Sequence, residues 1–531
     1  PGNLQYVPMQ AGMGQMPRLA SDFVPMAGYT LPHDFVAPNG FVLPPGLTMP
    51  AGATVPFADP VVMPNQSTTP GVVEVNLDAR LALVNINGAV ANLMTYNGHY
   101  PAPTIKVRRG DILKVHFTNS LPDTGLNLLG HQRGTTNLHT HGFHVSPSGN
   151  SDNPMLQVKS GASFDYVYDL SRHPAGNLNY YHPHSHGASA EQLWGGLAGA
   201  IEVADDDNAL AGFETHTLVL KDISLSGSAA APHSGLTDYM LGKEGNIVMV
   251  NGQVNPTLAM QPGQVQRWRI LNASNARFYK LSLANHTLQI IGTDGGLLDK
   301  PYPVSTILVS PGERLDVLIK ASSTAGSYKL VALPYYRGGM MMGSTQVVLM
   351  TTAVSGEALS QDIPQTIDPT AVRLVAPADV TNRRLVLGMG MMGGMMGGGM
   401  SSFGMMGGTL SNSMSSTFAT INGVPFTETT AYTVNSRLNT HEIWEIINQS
   451  FMDHPFHLHV NSAQVMSVTG GDRSYAALYT TAPARKDTVI VPSGGSVRLL
   501  VPIADFVGDT VFHCHILEHE DLGMMGVWSI K

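Results

Sequence analysis

Residues 96–119 read YNGHYPAPTIKVRRGDILKVHFTN. The Asn-Gly pair is a turn signal. Prolines follow, and then apolar residues alternate: Ile105 and Val107, then Leu113, Val115 and Phe117. Period two marks a strand with one buried face. The same plan returns as VNGQVNPTLAMQPGQVQRWRILN at 250–272 and INGVPFTETTAYTVNSRLNTHEIWEIIN at 421–448. From Asn to Asn the copies span 22 positions (97 to 119), 21 (251 to 272) and 26 (422 to 448). Three similar β-domains in series are the simplest account. Gly and Pro punctuate the chain and long helical periodicities are scarce. The fold class is therefore all-β, of sandwiches or Greek-key barrels.

The length of 531 residues agrees with three domains, at about 150 residues each. Composition sets their limits at 72–205, 206–370 and 371–531, with the acidic ADDDN stretch at the first boundary. Residues 1–71 are rich in Pro, Gly and Met, which form neither helix nor central strand easily. Phe23, Phe35, Phe41 and Phe57 are scattered apolar anchors there. They predict an extended arm that wraps the body rather than a disordered tail. Residues 388–408, GMGMMGGMMGGGMSSFGMMGG, are nearly pure Gly and Met and lack the side chains to build a packed core.

The net charge of −9 disfavours a nucleic-acid partner. No apolar run reaches the roughly 18 residues that a membrane span needs. No basic-then-apolar leader is visible after Pro1. One cysteine, Cys514, cannot form an internal disulfide.

Histidine carries the chemistry. Of 21, most group in four motifs: HTH at 139–141, HPHSH at 182–186, HPFHLH at 454–459 and HCHILEH at 513–519. In a strand, residues i and i+2 share a face, so each H-x-H aims two imidazoles at one point. Imidazole suits Zn, Cu, Fe and Ni. Lone histidines such as His33, His99, His131 and His441 read as ordinary surface or core residues. Two motifs lie in the first repeat and two in the last. A site using all four must lie where those domains meet, with the middle domain as spacer.

In HCH, alternation turns His513 and His515 to one face and Cys514 to the other. One strand thus serves two sites. On the thiolate side stand His519 and Met524, with His454 able to turn toward the sulfur across Pro455. Two His, one Cys and a distant weak Met make the blue-copper donor set. A nucleophilic cysteine needs one base rather than a ring of histidines, and a structural zinc site usually shows paired cysteines.

These motifs, in this order, resemble the multicopper oxidases: laccases, bilirubin oxidase, ascorbate oxidase, ceruloplasmin and the bacterial cuprous oxidases. The resemblance covers about residues 72–531. It implies three cupredoxin-like domains and four copper ions. His454, Cys514, His519 and Met524 match the type 1 site, which accepts electrons from substrate. His139 and His457 match the type 2 copper. His141, His182 and His515 match one type 3 copper, and His184, His459 and His513 the other. Electrons entering at Cys514 would reach the trinuclear cluster through His513 or His515, where O2 is reduced to water. An axial Met implies a lower type 1 potential than a non-coordinating Leu or Phe. Glu520 matches a proton-relaying acid. Asp152 resembles the acid beside the type 2 copper, though two residues further from His139 than the commoner pattern. Asp521 is read as structural, and His144 and His186 match no ligand. Thr140 stands where the family often has Trp, and Tyr180-Tyr181 precede His182 in place of Trp-Tyr or Trp-Phe.

The resemblance implies phenols, aromatic amines or Cu(I) as reductant, and a periplasmic or secreted location. Bacterial cuprous oxidases carry a Met-rich insert near the position of 388–408, and soft thioethers select Cu(I). Met389, Met391, Met392, Met395, Met396, Met400, Met405 and Met406 are candidates to shuttle it, and Met340, Met341 and Met342 form a second run. The competing use is a flexible lid of adaptable apolar surface. The competing function class is a copper-binding or storage protein without turnover, which has no need of an HCH bridge.

Overall fold

The computed structural model describes residues 55–86, 88–206, 210–338, 344–390, 418–427 and 429–531. Its strands form six β-sheets. The strands of residues 72–203 form two sheets, those of 214–354 two more and those of 381–530 the last two, with one exchange. The short hairpin Leu225–Ser226 and Ala229–Ala230 joins the edge of the first sheet beside strand Ala89–Tyr96.

The three sequence repeats are three copies of one local structure. Asn97, Asn251 and Asn422 have φ of 55°, 54° and 52°, and the glycine after each is also positive. Two successive positive φ values define the type I′ turn, which Asn-Gly adopts at little cost. Each Asn side chain then fixes a neighbouring strand. Asn97 Oδ1 accepts from Asp78 N, Asn251 Oδ1 from Val219 N and Asn422 Oδ1 from Val386 N, each at 2.7 Å. The closing Asn is used alike: Nδ2 of Asn119, Asn272 and Asn448 each donates to two backbone carbonyls. In each copy the strand before that Asn runs parallel to the strand opening its unit: 72–79 with 112–119, 214–220 with 266–272 and 381–387 with 442–448. Leu113, Val115 and Phe117 are buried while their neighbours are only partly so, as the alternation predicts.

The described end of the arm, residues 55–71, lies along the body. Pro56 bridges Thr257 of the middle domain and Val62 bridges Thr104 of the first. Asp59 accepts from His216 Nδ1 at 2.9 Å, and the Phe57 ring packs edge-on to that imidazole. Phe23, Phe35 and Phe41 lie outside the described residues.

The Gly/Met segment starts later than its composition suggests. Gly388 and Met389 end strand Thr381–Met389, which pairs with Ala419–Ile421 through Met389↔Ala419. Met389 is buried in the core. The other candidate methionines of this segment, and Met340, Met341 and Met342, lie outside the described residues. None of the described helices is long and apolar enough to cross a membrane.

Candidate metal centre

All four histidine motifs converge at the junction of the first and third domains. Strand His139–His141 pairs antiparallel with Leu178–His182, setting His139 opposite His182. Strand His454–Leu458 pairs with Gly508–Cys514, setting His457 opposite His513. The two pairs of strands face each other ring to ring. His139 stacks on His459 at 3.9 Å between centroids, and His141 on His457 at 3.7 Å. His184 Nε2 and His459 Nε2 stand 3.1 and 3.2 Å from His513 Nε2. His515 closes the ring, 4.8 Å from His141 and 5.4 Å from His182 between centroids.

Six of the eight rings hold one nitrogen outward on a partner. His139 Nδ1 lies 3.0 Å from both Asp152 oxygens. Nδ1 of His182, His457 and His513 donates to the carbonyls of Pro183, Asp487 and Cys514 at 2.9–3.0 Å. His141 Nε2 meets Asp487 Oδ1 at 3.1 Å, and His515 Nε2 meets the Tyr180 hydroxyl at 2.7 Å. The inward atoms His139 Nε2, His141 Nδ1, His182 Nε2, His457 Nε2 and His515 Nδ1 have no hydrogen-bond partner, although buried. Unpartnered buried polar atoms are costly. Here the donors fall into overlapping groups, such as His139, His457 and His459, and His139, His141 and His182, with the atoms of each group within 4.8 Å of one another, and outward anchoring is how ligating histidines are oriented. Burial, and then the neighbouring rings, lower the pKa values of His139, His141, His182, His184, His459, His513 and His515, to about 4 at His184. Those seven rings are therefore neutral, with lone pairs free for a cation.

A second, smaller group lies on the other face of the same strand. Cys514 Sγ is 3.3 Å from His454 Nδ1 and 3.6 Å from His519 Nδ1, and those nitrogens are 3.2 Å apart. Met524 is fully buried. Its N–H donates to the His519 carbonyl at 2.8 Å and its carbonyl accepts from Cys514 N at 3.0 Å. Burial pushes the Cys514 thiol up. A thiolate here thus calls for a bound cation. Nitrogen-rich donors on one side, and two imidazoles and a thiolate on the other, fit copper.

Two carboxylates flank the larger group. Asp152 is anchored by Thr140 N at 2.8 Å, and burial raises its pKa to about 7. Glu520 is fully buried, with Oε1 3.7 Å from His184 Nδ1 and Oε2 3.9 Å from His513 Nδ1. Burial, and then Asp521, raise its pKa well above the usual carboxylate range, and Oε2 has no partner. Asp521 instead accepts from Gly187 N and Ala190 N, a structural use.

The middle domain is more than a spacer. Its Arg314 reaches Asp487, which bonds His141. Its Gly312 backs onto the rings: a Cβ there would lie 3.0 Å from His141 Cε1. Its helix Leu236–Leu241 covers the thiolate group, where His519 Nε2 donates to the Met240 carbonyl at 3.1 Å. Tyr180, where the family often has Trp, stacks on His182 at 4.6 Å. No local spacing marks Asp487, Arg314 or Met240, because their partners are remote in sequence.

Three family models, each described as multicopper oxidase, match residues 79–208, 215–354 and 403–531. A multicopper oxidase of Staphylococcus aureus is 26% identical over 83% of this chain and 84% of its own length. A Bacillus subtilis laccase is 27% identical over 82% and 89%. Among solved structures, a multicopper oxidase of Campylobacter jejuni described as a metallo-oxidase superposes with a TM-score of 0.76. It is 28% identical and covers 90% of this chain and 95% of its own.

Proposed function

The chain belongs to the multicopper oxidase family, an oxidoreductase of three cupredoxin-like domains that uses copper and takes oxygen as acceptor, and we propose that it holds four coppers and oxidises Cu(I) in preference to bulky phenols. In this reading His454, Cys514, His519 and Met524 hold the type 1 copper, and His139 and His457 the type 2 copper. His141, His182 and His515 hold one type 3 copper, and His184, His459 and His513 the other. When bound, these ions take single electrons from a reductant and supply four to dioxygen, giving water.

The protein's own residues do the rest. The peptide from His513 to His515 joins the two ligand groups covalently, with Cys514 Sγ on one side and both imidazoles on the other. That reach of one strand into both groups is the observation that carries the assignment. Glu520 holds a proton beside His184 and His513 for transfer toward the oxygen site. Asp152 fixes the ring of His139 and keeps a second carboxyl close by.

The reductant is read from the cover over His519 and His454. His519 Nε2 is taken by the Met240 carbonyl, and His454 Nε2 lies 2.6 Å from Ser450 Oγ. Both rings are fully buried. Neither presents an edge on which a bulky aromatic ring can rest. The strand after the Gly/Met segment, Ala419–Ile421, abuts the turn that follows His519, since a Cβ on Gly523 would lie 3.2 Å from the Ala419 carbonyl. Phenols and aromatic amines form the second reading, supported by relatives named laccase. A dedicated role in copper tolerance, in the periplasm or after secretion, agrees with Cu(I) as substrate.

Comparing kcat/KM for Cu(I) and for a dimethoxyphenol on one copper-loaded sample tests the preference, and a phenol advantage overturns it. A copper-storage protein is separated by its optical behaviour: blue absorption bleached by reductant and restored by air marks turnover.

A further inference from the structure

His144 matches no family ligand, yet it makes an unusual contact. Its Nδ1 donates to the Val460 carbonyl at 2.8 Å, across the junction between first and third domains. Its Nε2 lies 2.9 Å from Asp505 Oδ2, and its backbone N–H donates to His173 Nδ1 at 3.0 Å. The imidazole is thus held from both sides, with the Phe506 ring 5.0 Å away.

Val460 is strained. Its φ is +67°, a region that a β-branched side chain rarely enters. Asn461 N donates to the His459 carbonyl at 2.7 Å, an i to i+2 bond around Val460. The two facts together describe a γ-turn of the rare positive-φ kind. Such strain persists only where the surroundings enforce it, and it gathers at functional sites. The residue before the turn is His459, stacked on His139 and 3.2 Å from His513 Nε2.

Packing alone does not confine the turn. Val460 and Asn461 line a 190 Å³ cavity, whose other walls include Gly142, His144 and Asp487. A relaxed backbone therefore has space to enter. The His144 bond at 2.8 Å opposes that relaxation, beside a longer bond of 3.4 Å from Ala504 N to Asn461 Oδ1.

We propose that His144 is a positioning residue for the trinuclear cluster: by clamping the Val460 carbonyl it holds a strained γ-turn that aims the His459 imidazole. This rests on the copper-cluster reading of His459, but the clamp itself is testable without metal. The first domain thus sets a third-domain ligand by backbone constraint as well as by meeting it ring to ring.

The test is a cycle of His144→Ala, Val460→Gly and the double variant. Glycine accepts positive φ freely, so with Gly at 460 the turn no longer needs a clamp. In the copper-free protein, hydrogen exchange at Asn461 N–H reports the turn. Protection is expected to fall in His144→Ala and to persist in the double variant. In the copper-loaded protein, His144→Ala keeps the blue absorption, uncouples the EPR-silent type 3 pair so that a new copper EPR signal appears, and lowers O2 consumption about tenfold, the scale found for residues that orient metal ligands. The double variant restores both. Unchanged exchange in His144→Ala, or an equal loss with Val and with Gly at 460, overturns the clamp. Should His144→Ala not fold, Asp505→Asn releases the imidazole from its far side and is read in the same two backgrounds. If the clamp readings hold but the EPR signal never changes, the cluster assignment of His459 fails instead.

Discussion

Asp487 of the third domain accepts two hydrogen bonds from Arg314 of the middle domain, at 2.7 and 2.5 Å, while its Oδ1 meets His141 of the first. One carboxylate thus ties all three domains at the edge of the copper site. Both charged groups are buried, Arg314 completely. Asp487→Asn keeps the shape but leaves the guanidinium short of its counter-charge. Removing one partner of a buried pair costs about 3–5 kcal/mol. The copper-free protein should therefore unfold at clearly lower urea. An unchanged midpoint would show that Asp294, whose Oδ1 is 3.7 Å from Arg314 Nη1, suffices as counter-charge.

Gly312→Ala tests how closely the middle domain is fitted to the cluster. The new Cβ would stand 3.0 Å from His141 Cε1 and from the His515 ring, at a φ of +83°. Fewer coppers per chain are expected, with blue absorption kept because Cys514 lies on the other face. Gly423→Ala is the control: its φ is +75° but nothing lies within 4 Å of the added Cβ. It should lose stability and no copper. Equal copper content in both variants would remove the clash as the cause.

What the sequence disclosed depended on range. Turn chemistry and period two are local, so Asn97, Asn251 and Asn422 announced their units and H-x-H spacing announced the ligands. Asp487 and Arg314 are 173 positions apart and obey no spacing rule. Met240 acts through its backbone carbonyl, which no side-chain pattern reveals. Met389 was legible but masked by composition. Leu385, Leu387 and Met389 are buried in alternation, and that period continues the strand into the glycine run. The strain at Val460 had no signal, because valine is a poor residue for positive φ and nothing in HPFHLHV suggests a turn there.

Lys221 gives the stability a pH dependence. It is buried, donates to the Leu193 carbonyl at 2.7 Å, and burial lowers its pKa from 10.5 to about 8. The sign follows from proton counts. Between pH 8 and 10.5 the unfolded chain holds this proton and the folded chain does not, so stability rises with pH. The full rise is about 3 kcal/mol, from 1.36 kcal/mol for each unit of that gap. Urea unfolding of the copper-free protein from about pH 7.5 to about pH 9.5 should show part of it, and Lys221→Met should flatten the curve. A curve equally steep in the variant assigns the rise to other groups.

Glu520 offers a separation of functions within one short helix. It belongs to Leu517–Asp521 with His519, yet its carboxyl faces His184 and His513 rather than Cys514. Ser189 Oγ, 3.4 Å from Oε1, is its one hydrogen-bond partner among the described residues. Glu520→Gln keeps the size and the contact with Ser189 but cannot release a carboxyl proton. Blue absorption and its bleaching by Cu(I) should therefore survive. Return of the colour in air should slow, because reduction of oxygen to water consumes protons at the other group. Loss of a positioned proton donor typically costs about 10²–10⁴-fold. Stopped-flow reoxidation distinguishes the steps. If Glu520→Gln slows bleaching and spares reoxidation, the residue acts on the Cys514 side and the relay is wrong. If only reoxidation slows, the buried, unpartnered Oε2 is a proton store for oxygen reduction.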